Sequence, residues 1–208
     1  LKQPYGGLVP ASSFFRNQLE NEDELFPEEN VHASLIGLSV DYLTRFMLGE
    51  SPMEAFEISI LGSEIIREKG NALRLLKNIK GLDDKSIRAA IKLSGYDVCY
   101  RASILGFKPT KEIKPNKNTI SNVRIMVNRS LKFFEKYGPI TSQGFTFEGG
   151  YTDRVSSGDG DFTTEDTIWD FKVSKNHPKK EHTLQLLIYY VMGIHSVHEK
   201  FKSIKNLG

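Results

Sequence analysis

From His32 onward the chain reads in steps of three and four. In HASLIGLSVDYLTRFMLG the apolar residues Leu35, Leu38, Tyr42 and Phe46 recur at helical spacing and mark one buried face. A second helix is predicted to start at Ser51-Pro52. There the serine can cap, the proline suits the first turn, and Glu54 sets an acid near the positive end of the helix. It is expected to run to about Lys69 and to close at Gly70. Asp83 or Asp84 caps the next helix, through SIRAAIKLSGYDVCYRASIL. GFKPTKEIKPNKN breaks the pattern with Pro109 and Pro115 and reads as a loop. TISNVRIMVNRSLKFFEKYG predicts a further helix with a basic last turn, ending at Gly138.

After Gly138 the period changes. QGFTFEGGYTDRVSS, rich in aromatic and β-branched residues, predicts one or two strands, and GDGDFTTEDTIWDFKVSK a hairpin. An apolar-rich helix follows from Glu181 to about Lys202. The expected fold is an α/β or α+β core preceded by a largely α-helical portion. Residues 1–31, ending NEDELFPEEN, read as an irregular acidic arm. Residues 32–208 read as a single domain, with a helical front over 32–138 and a strand meander plus closing helix over 139–208.

Composition narrows the classes. A chain of 208 residues suits one domain, or one carrying a helical insertion, and 39% hydrophobic with 26% charged residues is usual for a soluble globular protein. No apolar run approaches the ~18 residues of a membrane span. The opening LKQPYGGLVP has no charged-then-apolar signal pattern and does not begin with Met, which suggests a trimmed or processed chain. The lone Cys99 fits a reducing, cytoplasmic setting and reads as a small side chain on a helix. A net charge of +2 does not announce a nucleic-acid binder. The lysines nonetheless cluster in KPTKEIKPNK and KVSKNHPKK, where Lys111, Lys114, Lys175, Lys179 and Lys180 are candidates for phosphate contact beside the plainer reading of solvated loops.

The hairpin carries the chemistry. With Glu165-Asp166 as a two-residue turn, Phe162 faces Trp169, Thr163 faces Ile168, and Asp161 stands directly opposite Asp170. Phe162, Trp169 and Phe171 then share one face, and Asp161, Asp170 and Lys172 the other. Directly opposed residues have Cβ atoms roughly 4.5–5.5 Å apart, so two carboxylates there repel unless a cation sits between them. A hard ion such as Mg²⁺ wants oxygen ligands and keeps several waters, which two carboxylates and the Phe171 carbonyl could provide. Lys172 would reach the same pocket to orient or deprotonate an attacking water. An acid-x-Lys triplet alone says little, as Asp83-Asp84-Lys85 and Glu112-Ile113-Lys114 illustrate. Only 170–172 ends an apolar strand with an acid opposite. A rival register, with the turn at Asp161-Phe162, would make Asp153 the partner acid but would waste the burial of Phe162. Asp159, beside Gly160, reads as a turn residue with a second claim as a ligand.

On the closing helix Gln185 and Tyr189 stand four residues apart and so share a face. Without the hairpin they would read as an ordinary core tyrosine with a marginal glutamine. Taken together, Asp161, the hairpin, Asp170-Phe171-Lys172 and Gln185-x-x-x-Tyr189 resemble the PD-(D/E)XK nuclease superfamily in its RecB-like branch. The resemblance covers residues 158–192, and LIGLSVDYLTRF is similar to a helix that precedes such cores. It implies a restriction-endonuclease-like core, a mixed sheet flanked by helices, and Mg²⁺ or Mn²⁺ held by Asp161 and Asp170. It also implies that Lys172 is the catalytic lysine, with Gln185 and Tyr189 positioning DNA or the lysine. It further implies an acid or histidine on the first helix, for which Asp41 or His32 could serve. Asp41 with Arg45 reads more simply as an i,i+4 pair. Gly160 stands where the family often has proline.

His177, His182, His195 and His198 suggest zinc, but no cysteine or acid cluster completes a tetrahedral set, and they read as surface residues. The expected function is a metal-dependent deoxyribonuclease, exo- or endonucleolytic, gripping DNA through its lysine loops. The rival is a nuclease-like module that binds nucleic acid or a protein without cutting.

Overall fold

The computed structural model describes residues 2–17, 23–172 and 177–208. The chain forms two compact units, Glu20–Lys132 and Leu1–Leu19 with Phe133–Gly208. The first is helical: α1 (Ala33–Met47), α2 (Pro52–Ala55), α3 (Glu57–Ile65), α4 (Lys69–Leu76), α5 (Asp84–Ser94), α6 (Asp97–Arg101) and most of α7 (Lys117–Tyr137). Ile36, Val40 and Leu43 of α1 pack with Ile87, Ile91 and Leu93 of α5, all of them buried. Ser51 caps α2 in a full capping box with Glu54, as its spacing predicts, and Asp83 caps α5 through the Lys85 and Ser86 amides.

Two predicted helices are broken. The one expected over 51–69 divides at Phe56, which is fully buried edge-on to Tyr42, and stops at Ile65. The stop is a Schellman turn: Glu68 N donates to Ser63 O at 2.7 Å and Arg67 N to Glu64 O at 3.0 Å. Arg67 takes the left-handed position at φ 60°, where glycine is usual, and Gly70 lies inside α4. The helix expected to run on past Asp84 breaks at Gly95-Tyr96. There the Tyr96 carbonyl approaches α3 so closely that a Cβ on Gly62 would stand 2.1 Å from it. Residues 23–31 have no regular structure but are tied to α7: Phe26 and Asn122 exchange two hydrogen bonds, of 2.8 and 2.9 Å, and Asn30 N donates to Thr119 Oγ1.

The second unit carries β1 (Ser142–Phe145), β2 (Gly160–Thr163), β3 (Thr167–Trp169), β4 (Asn206–Leu207) and α8 (Lys180–His195). The sheet order is β1-β2-β3-β4, antiparallel except for the parallel β3-β4 pair, so the protein is mixed α/β. In β2-β3 Phe162 pairs with Trp169 and Thr163 with Ile168, the register that the Glu165-Asp166 turn predicts. On one face Phe162, Trp169 and Phe171 pack edge-on and stacked against Phe133 and Phe134 from the end of α7. On the other, Ile168 joins Phe147, Leu186, Tyr189, Met192 and Phe201 in a core beneath α8.

QGFTFEGGYTDRVSS gives one strand, β1, within the one or two expected, and then a loop closed by a bridge between Thr152 and Val155. The closing helix ends at His195 instead of near Lys202. Phe201 turns back to bury its ring on Gly193, where a Cβ would meet it at 2.8 Å. β4 is an addition that the sequence pattern does not announce. It fixes the exit of β3, since Gly208 N donates to Ile168 O at 2.9 Å and Asp170 N to Gly208 O at 3.1 Å.

Candidate metal centre

Beyond the Phe162-Trp169 pair the next residues in line are Asp161 and Asp170, on the Ile168 face of the hairpin. Gly160 lets this corner close, because the Phe145 ring fills the space a Cβ would need, 2.2 Å away. The Asp170 side chain is only 3% exposed and lies 2.7 Å from Lys172 Nζ. Asp161 Oδ2 accepts a 2.5 Å hydrogen bond from Phe171 N. Burial pushes the Asp161 carboxyl up to about 6. The Asp170 and Asp159 charges add to that rise, and the Phe171 amide and Lys172 oppose it.

Tyr189 belongs to the same neighbourhood. Burial pushes its hydroxyl up to about 12, and Asp170, Asp159 and Asp161 all act on it with their charge. Gln185 Nε2 donates to Tyr189 Oη at 2.6 Å across one turn of α8, and the Tyr189 ring packs on Phe147. The structure therefore brings Asp161, Asp170, Lys172, Gln185 and Tyr189 to one face, with the exposed Asp159 within electrostatic reach. Sequence reasoning missed Tyr151. Its hydroxyl accepts from Phe147 N and donates to Gly158 O, both at 3.0 Å, and so anchors the loop that delivers Asp159 and Asp161. An aromatic beside paired glycines in GGYTDRV is the one signal the sequence offers for it.

The remaining candidates stand elsewhere. Asp153 lies exposed in the turn between Thr152 and Val155, so the rival register is not adopted. Asp41 belongs to the helical unit, where its charge acts on Arg45 as the i,i+4 reading expects. His32 caps α1, accepting from Ser34 N at 3.3 Å. Lys111 and Lys114 are exposed in the loop before α7, and Lys179 and Lys180 are exposed at the start of α8. Lys175 lies outside the described residues. His182 Nδ1 accepts from Lys179 N at 3.2 Å, His198 pairs with Glu148 at 2.7 Å, and His177 and His195 are exposed. Cys99 is buried on α6, and burial pushes its thiol up, away from reactivity.

The donor set can be tested against a divalent ion directly. Among the described residues no group of three or more His, Cys, Asp or Glu side chains could hold a metal. Two carboxylates with the Phe171 carbonyl suit an ion that keeps most of its waters, as Mg²⁺ does. A carboxyl held above its ordinary range by burial and its neighbours' charge is also where added positive charge is most strongly welcomed. Lys172 Nζ already supplies one positive charge at Asp170. Comparison with family models, with curated proteins and with solved structures returned no match.

Proposed function

We propose that the protein is a Mg²⁺- or Mn²⁺-dependent nuclease acting on DNA, with a restriction-endonuclease-like core in its sheet unit. The observation that carries this reading is the gathering of Asp161, Asp170, Lys172 and Tyr189 on one face of a strand pair. Paired acids with an amine beside them suit transfer of a phosphoryl group, whose charge must be neutralised while a water is oriented. A bound divalent ion would supply Lewis-acid charge at the phosphoryl oxygens. Asp161 and Asp170 would hold that ion, and the Phe171 amide keeps Asp161 oriented. Lys172, released from Asp170, would turn its amine to the water or to a phosphate oxygen. Tyr189, its hydroxyl fixed by Gln185, would set the lysine or the strand in place. Lys179 and Lys180 would contact backbone phosphates at the sheet unit, and Lys111 and Lys114 at the helical unit, giving salt-sensitive binding blind to base order.

The test is end-labelled single-stranded and duplex DNA incubated with Mn²⁺ or Mg²⁺. The expected result is metal-dependent cleavage, abolished by EDTA and in Asp170→Ala and Lys172→Ala. Binding without cleavage, unchanged in both variants, would assign the protein to the non-cutting class instead.

A further inference from the structure

The helical unit holds a cavity of about 600 Å³, independent of the carboxylate site, between the start of α1, the α5-α6 junction and the loop before α7. Pockets for small organic ligands are typically ~300–1,000 Å³. Its floor is aliphatic: Leu35 and Leu38 from α1, Val98 from α6 and Ile113 from the loop. All but Ile113 are only partly buried, so the cavity leaves apolar surface that a ligand could cover. Two glycines shape the wall. A Cβ on Gly95 would stand 2.6 Å from Ile113 Cδ1, and one on Gly106 would stand 2.9 Å from Val98 Cγ2.

The rim is polar and carries two lysines. Lys108 and Lys114 face one acid, Glu112, leaving one positive charge in excess. His32 accepts from Ser34 N through Nδ1, which leaves Nε2 as the ring's hydrogen donor. α1, a helix of 15 residues, begins at this rim and adds the positive end of its dipole. An apolar floor below a rim of net positive charge selects for a molecule with the matching division. We infer that the cavity binds a small amphipathic anion, an apolar body carrying one carboxylate or phosphate, with the body on Leu35, Leu38 and Val98 and the anion at Lys108 and Lys114. A medium-chain fatty carboxylate has that division, whereas a nucleoside monophosphate, polar in both base and sugar, does not.

The full-length chain is titrated with the aryl sulfonate 8-anilinonaphthalene-1-sulfonate, followed by fluorescence and calorimetry, and then with decanoate and thymidine monophosphate as competitors. The inference expects saturable binding at one site per chain. It expects affinity to fall about fivefold in Lys108→Ala with Lys114→Ala at low salt. Binding should be lost in Ser34→Trp, which fills the cavity from an exposed position. Displacement by decanoate and not by the nucleotide supports the inference. Displacement by neither, displacement by the nucleotide, or binding that ignores both variants overturns it. The lysine pair is on the surface and tests the inference even if Ser34→Trp fails to fold.

Discussion

Lys172 Nζ lies 2.7 Å from both carboxylate oxygens of Asp170, an exposed cation on an almost wholly buried anion. The ammonium thus occupies the side of Asp170 that a divalent ion would need. In metal-free protein it offsets part of the repulsion between Asp161 and Asp170. Lys172→Ala removes that charge and leaves Asp170 without its ion pair. The Lys172 side chain is 37% exposed, so solvent screens the pair, and we expect a loss of about 1–2 kcal/mol in EDTA. Mn²⁺ should then raise the unfolding temperature more in Lys172→Ala than in the parent, because no lysine competes for the carboxylate. Calorimetry in EDTA and in Mn²⁺ reads both effects. An equal gain in the two proteins would show that lysine and metal do not share Asp170.

The raised Asp161 carboxyl makes a prediction about acid. Its folded value of about 6 lies above the ordinary 3.8, so between those values the folded state holds a proton that the unfolded chain has released. Stability from this group is complete below about pH 4 and falls as pH rises to about 6, by on the order of 2–3 kcal/mol. Asp161→Asn keeps an acceptor for Phe171 N and removes the titration. Urea midpoints of the parent relative to the variant should therefore decline across this window in metal-free buffer. Mn²⁺ should reverse the decline above pH 6 and do little at pH 4.5, where protons compete for the carboxylate.

How much of the molecule is legible in its sequence depends on how local each cause is. The register of β2 and β3 follows from one two-residue turn and a strict alternation, so the residue order alone sets Asp161 beside Asp170. The α2 capping box is equally local. The Schellman stop at Arg67 is not legible, because an arginine takes the place of glycine while Gly70 nearby offers a false signal. Nor is the break at Tyr96, whose cause lies more than thirty residues away at Gly62. β4 has two residues and no pattern of its own; only its pairing with β3 makes it a strand. At the site, Tyr151 is hidden because its role is to hold a loop whose path the sequence does not display.

In the helical unit Asp97 is 2% exposed and receives hydrogen bonds from the Tyr42 and Ser59 hydroxyls, with Arg101 Nε at 3.5 Å. Burial pushes its carboxyl up, and those partners oppose the shift. Asp97→Ala strands two buried hydroxyls and should cost about 3–5 kcal/mol, whereas Tyr42→Phe should cost about 1–2. In the double variant the two losses should sum to less than their separate values, since they remove one shared contact. Urea unfolding of the four proteins measures this. Strict additivity would mean that Tyr42 and Asp97 stabilise the fold independently.

Tyr189 separates structure from activity most cleanly. Its ring is buried against Phe147, and its hydroxyl meets Gln185 Nε2 at 2.6 Å beside the three acids. Tyr189→Phe keeps the ring and deletes one hydrogen bond, so stability should change by about 1 kcal/mol or less. Tyr189→Ala opens a cavity in the core of the sheet unit and should cost about 3–5 kcal/mol. If the hydroxyl positions Lys172 or the strand, Tyr189→Phe should still lower cleavage by one to two powers of ten, and Gln185→Ala should do nearly the same. The two losses should not multiply in the double variant, because Gln185 acts through the tyrosine. Full cleavage by a stably folded Tyr189→Phe would reduce the pair to a packing role and leave Asp161, Asp170 and Lys172 to carry the chemistry alone.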